Sequence, residues 1–233
     1  MTSKSVKIGY WAALICIATF VTWIICFVAI IQVNPFFKWT NLADFIVYTN
    51  SYNQTFKYIA QFSMLLFAPA FLVMLHSIGE YAAENKKILT RISISFATIF
   101  VTCIGIHYFV QISSVRLSIA KDQLGGLEQF IQSNPTSGIA GINLVGWTLF
   151  FSLSCFFIAP VFSGSRLNKV IKYALICNGI ICILGGIGFV FDNLALIFLT
   201  LNIGMGGAVL TATIALFIFF RLLKSVMLAA SIS

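Results

Sequence analysis

The stretch "YWAALICIATFVTWIICFVAIIQV", Tyr10–Val33, runs for 24 residues without one charged side chain. An α-helix rises about 1.5 Å per residue, so about 20 apolar residues cross the roughly 30 Å of a bilayer's hydrocarbon. The stretch is long enough to span. Lys4 and Lys7 stand before it, as they would in a secretion signal, but the apolar run is too long for one and lacks a small-residue cleavage site. We read it as a retained membrane anchor.

Outward from that anchor, the same test picks out Tyr58–Tyr81, Ile88–Ile112, Gly138–Phe162, Val170–Phe191 and Leu194–Leu223. Six spans use most of a 233-residue chain that is 60% hydrophobic and 9% charged, with mean hydropathy +1.02. That composition lies far outside the range of water-soluble domains. The expected fold is an all-α polytopic bundle, a single transmembrane domain over residues 1–233, which leaves no room for a soluble catalytic domain.

Fourteen basic against six acidic residues raise the question of nucleic acid. The basic residues are dispersed among loops and form no single patch, which excludes that partner and makes them markers of orientation. Ten lie at one end: Lys4, Lys7, Lys86, Lys87, Arg91, Arg166, Lys169, Lys172, Arg221 and Lys224. The other end holds four: Lys38, Lys57, Arg116 and Lys121. By the positive-inside rule both termini are expected in the cytoplasm, with the first, third and fifth loops outside; a plasma (inner) membrane is the expected setting.

The first outer loop carries Phe36, Phe37, Trp39, Tyr48, Tyr52 and Tyr58, residues suited to an aromatic belt at the membrane surface. Within it Leu42, Phe45, Ile46 and Thr49 follow helical spacing, which predicts a short interfacial helix. The third loop repeats the pattern with Leu124, Leu127 and Ile131, so the two loops are expected to cap the outer face together. The fifth loop is little more than Asp192-Asn193, which makes spans five and six a tight hairpin. Their small residues, with Gly204, Ala208 and Ala212 at successive i+4 steps, suit close backbone approach.

Six cysteines all fall inside spans, as packing residues, and no zinc spacing is present. His76 and His107 differ in depth by about 15 Å along their helices, far beyond ligand bonds of about 2 Å to one metal. His76, Glu80 and Glu84 share a stripe at i, i+4 and i+8, which reads as a solvated helix end beside Lys86, Lys87 and Arg91. No metal and no cofactor is expected.

The third span holds the densest polar chemistry. Cys103, His107, Gln111 and Ser114 fall on one helical face; Ser95, Thr98, Thr102 and Gly105 fall nearly opposite. Polar residues on both sides suggest protein on both sides, so the third span is expected at the centre of the bundle. An unpaired polar group in hydrocarbon costs several kcal/mol, so His107 and Gln111 need partners at their depth. Gln61, Asn143 and Asn202 are the expected ones, with Asp192 just above and Arg116 at the interface, snorkelling or paired to Asp192. Together these residues outline an outward-facing pocket for a small molecule, or a network of interhelical hydrogen bonds that serves stability alone.

The segments "NPFF", "FAPAFLVML", "HYFVQISSVR", "GLEQFIQSNPTSG" and "GWTLFFSLSCFFIAPVF" resemble a group of prokaryotic six-span integral membrane proteins whose function is unknown. The resemblance covers most of the chain and implies a bacterial six-span fold without a mechanism. Where that group is expected to carry asparagine before the Y-F-V-Q motif, this chain has His107. Three functional classes follow: a non-enzymatic protein that binds, senses or moves a small lipophilic or polar molecule; a membrane-embedded enzyme on a lipid-like substrate, with His107 as acid or base; and an accessory subunit or homo-oligomer joined through spans five and six. Membrane lipids are expected partners in every case.

Overall fold

A computed structural model describes residues 2–230 of the chain, with side chains described through residue 227. Six helices are long and apolar enough to cross a membrane: Ser3–Val33, Thr55–Tyr81, Glu84–Ala120, Gly138–Val161, Arg166–Val190 and Leu194–Met227. The protein is an all-α six-span bundle, and among the described residues it has no strand. Side chains start several helices by accepting an otherwise orphaned backbone N–H: Thr2 from Ser5, Ser137 from Ala140, Ser165 from Asn168 and Asn193 from Leu196.

Each span packs on its chain neighbours, and the sixth returns to the first, so the bundle closes into a ring. The second, fourth and sixth spans line the inside. About half of each is buried in the protein, against 28% for the third. This corrects the expectation that the third span is central. Its second polar face is solvated by its own backbone: Ser95, Thr98 and Thr102 are exposed and donate to the carbonyls of Arg91, Ile94 and Thr98. A hydroxyl that bonds the carbonyl four residues back needs no partner helix, so a polar stripe need not face protein.

The middle of the bundle is aromatic. Phe71, Phe100, Trp147 and Phe151 meet with ring centroids 4.7–6.2 Å apart, in edge and offset arrangements that suit their quadrupoles. At the end bearing the short loops, Lys86 donates to the carbonyl of Pro160 at 2.7 Å and so ties the second loop to the end of the fourth span.

The opposite end, called outer after the charge count, is covered. A helix forms at Leu42–Ser51 as the spacing predicts, capped by Asn41. Phe45 from this helix, Val115 from the third span, and Leu127 and Ile131 from the third loop make a second, separate apolar cluster, with Phe37, Trp39 and Leu42 against it. Tyr48 donates to the carbonyl of Pro35, and the ammonium of Lys57 sits 5.0 Å from the Phe45 ring centre. The two loops therefore form one cap with its own core.

Candidate functional site

Beneath that cap the third loop dips to the level of the polar face of the third span. Gln132, a loop residue outside the predicted set, is the hub. Its backbone N–H donates to Gln111 Oε1 at 3.1 Å, and its side-chain oxygen accepts from Gln61 Nε2 at 2.9 Å. Gln111 Nε2 in turn donates to the carbonyl of Phe130 at 2.6 Å. One glutamine from the second span, one from the third and one from the loop thus lock the cap to two helices. The loop is stiffened around them: Asn134 donates to Glu128 O and accepts from Thr136, and Ser137 donates to Ile131 O.

His107 lies one turn below Gln111 and is fully buried. Its Nδ1 stands 3.1 Å from the carbonyl oxygen of Ile139, at the start of the fourth span. A carbonyl only accepts, so Nδ1 carries the proton, and in the neutral ring Nε2 is left as an acceptor. Three buried side-chain polar atoms lack a hydrogen bond of good geometry among the described residues: His107 Nε2, which the Gln132 side chain approaches, Gln61 Oε1 and Asn143 Oδ1. All three belong to the predicted set, and all three are acceptors. Asn143 is one helical turn from Ile139, so its side chain belongs to the tier just below the imidazole.

The other expected members lie elsewhere. Arg116 is exposed and donates from Nε to the carbonyl of Ile112 on its own helix; it forms no ion pair with Asp192. Asp192 is exposed in the hairpin turn, with a left-handed backbone at φ 50°. Asn202 sits in the segment Phe198–Gly204, which packs against the fifth span, and makes no side-chain hydrogen bond among the described residues. Ser114 is exposed rather than beside Gln111. The reason is a π-helical turn at Gln111–Val115. A π turn takes more residues per revolution than an α turn, so Val115 keeps the face of Gln111 while Ser114 is turned further away from it.

Two further π turns, Gly146–Phe150 and Phe198–Gly204, lie in the fourth and sixth spans. The first begins just past Asn143 and the second contains Asn202. Such turns release a carbonyl from the helical ladder and recur at functional sites. Local sequence carries no signal for them. A second polar residue that the sequence reading passed over is Asn178, 1% exposed in the fifth span. It donates to Cys155 Sγ at 3.4 Å and borders, with Thr213, a small apolar cavity of about 10 Å³. That is room for about one water, and no passage.

Among the described residues no group of three or more histidine, cysteine or acidic side chains is placed to hold a metal ion. His76 and Glu80 are exposed, and Glu84 pairs with Lys87, as expected of a solvated helix end. Comparison with family models, curated proteins and solved structures finds no match to this chain.

Proposed function

We propose that this is a non-enzymatic protein of a bacterial plasma membrane, with both termini in the cytoplasm, that binds or senses a small neutral hydrogen-bond donor under its outer cap. The single observation behind the reading is the set of three unpartnered acceptors, His107 Nε2, Gln61 Oε1 and Asn143 Oδ1. A buried acceptor without a donor costs about 1–3 kcal/mol, and three of them beneath the cap favour a molecule that supplies O–H or N–H groups. The recognising groups are an imidazole and amides with no carboxylate among them, so a bound cation would lack a counter-charge; this favours a neutral ligand such as an alcohol or amide. The hydrogen-bonded cap favours binding or sensing over free conduction.

The enzyme alternative has less behind it. His107 engages a backbone carbonyl, and no nucleophile or carboxylate is hydrogen-bonded to it among the described residues. Ligand binding is tested by purifying the wild-type protein and His107→Ala in native-lipid discs and comparing their small-molecule extracts by mass spectrometry. A donor-bearing compound held by the wild type and lost from a stably folded His107→Ala supports the reading. Identical extracts with only a lowered melting temperature in the variant would reduce the tier to structural hydrogen bonding.

A further inference from the structure

Away from this site, the hairpin of spans five and six is uneven along its length. In its outer half the helices touch: a Cβ added to Gly185 would meet Leu201 Cδ2 at 2.5 Å, and one added to Gly204 would meet Ile181 Cγ2 at 3.0 Å. One turn further in, a Cβ on Gly207 would meet nothing within 4 Å. There the helices part around a groove of about 520 Å³ that opens on the membrane-facing side. Its floor and walls include Ala174, Cys177, Gly207 and Thr211, and its far end is bordered by Arg166 and Lys169.

The dimensions single out one kind of occupant. From Arg166 to Ile181 the groove follows fifteen residues, about 22 Å of helix, which matches one leaflet with its headgroup zone. It closes at the middle of the bilayer, where Gly204 meets Ile181. A partner helix that crossed the whole membrane would run past this closure, whereas a lipid tail ends there. Neither Arg166 nor Lys169 is in an ion pair among the described residues, and both stand at the start of the fifth helix, where the backbone dipole adds positive potential. Tyr173, 63% exposed along the wall, supplies an amphipathic ring near headgroup depth.

We propose that this groove is a binding site for an anionic glycerophospholipid of the leaflet on the Arg166–Lys169 side, with one acyl chain between spans five and six and the phosphate on the two cations. Basic pockets between spans on the cytoplasmic side recognise acidic lipid headgroups in this way. The proposal is independent of the outer site. Detergent-purified protein is titrated with phosphatidylglycerol or phosphatidylcholine, and bound lipid is counted by native mass spectrometry.

The wild type is expected to retain phosphatidylglycerol over phosphatidylcholine by about tenfold or more, at about 1 kcal/mol per basic residue. Arg166→Gln with Lys169→Gln should abolish the preference while both lipids still bind weakly. Gly207→Leu, which fills open space, should lower retention of both lipids without moving the melting temperature. Equal retention of the two lipids by the wild type overturns the proposal, as does a preference that survives the charge variant or lipid binding unchanged in Gly207→Leu. A dimer crosslinked through Cys177 would also overturn it, by assigning the groove to a second copy of the chain.

Discussion

The aromatic middle of the bundle and the polar tier above it solve the same packing problem with opposite chemistry. Phe71, Phe100, Trp147 and Phe151 fill their space by shape, through contacts that are weak singly and numerous together. Gln61, Gln111, Gln132 and His107 fill theirs by direction, one donor to one acceptor. The aromatic layer is complete in itself. The polar tier and the turn beneath it keep three acceptors unanswered, and the proposed binding role rests on that difference.

If the middle layer carries the bundle, Phe151→Ala is the largest single loss. Phe151 is 1% exposed, stacks on Phe100 and meets Phe71 and Trp147 edge to face, so its removal leaves a large hole. Phenylalanine-to-alanine losses run to about 3–5 kcal/mol, and a fall in melting temperature in detergent measures this one. A loss under about 1 kcal/mol would mean that the layer collapses to refill itself.

Gln111→Ala attacks the polar tier. It removes one donor and one acceptor, leaving the Phe130 carbonyl and the Gln132 N–H without their partners. We expect about 2–3 kcal/mol in stability. A sharper sign is regional: amide exchange should quicken across residues 127–137 while the aromatic layer stays protected. Uniform loosening of both regions would show that the cap and the bundle are one cooperative unit.

The hairpin offers a milder contrast within two helices. Gly185→Ala places a methyl group within 2.5 Å of Leu201 and 2.9 Å of Thr200 Oγ1, an overpacking that costs about 1–3 kcal/mol. Gly207→Ala meets nothing and should be neutral or slightly stabilising, since glycine loses more backbone freedom than alanine when it is fixed in a helix. Thermal melting of the two variants side by side reads the difference. Equal effects would mean that the inner half of the hairpin closes in the membrane.

What the sequence made legible, and what it did not, follows the same division. Hydropathy and length place six spans, and spacing alone places the helix around Phe45, because both depend on residues close in the chain. Gln132 was invisible because its role arises from a loop folding inward to meet Gln61, 71 residues away. The sequence pattern puts the third span too centrally because hydroxyls that serve their own helix look, in sequence, like hydroxyls that serve a neighbour. Asn178 hid among the glycines of a stretch that reads as packing.

Ser114 is the smallest test and the most direct one of this account. Uniform α-helical phase puts Ser114 and Val115 on either side of Gln111, whereas the π turn keeps Val115 there and sends Ser114 outward. Val115 is 4% exposed within the cap cluster, while Ser114 makes no side-chain hydrogen bond among the described residues. Ser114→Ala should therefore change stability by less than about 0.5 kcal/mol and leave exchange across residues 127–137 untouched. Should it instead reproduce the loosening expected of Gln111→Ala, the helix is regular at this point, and the tier beneath the cap is wider than the π turn allows.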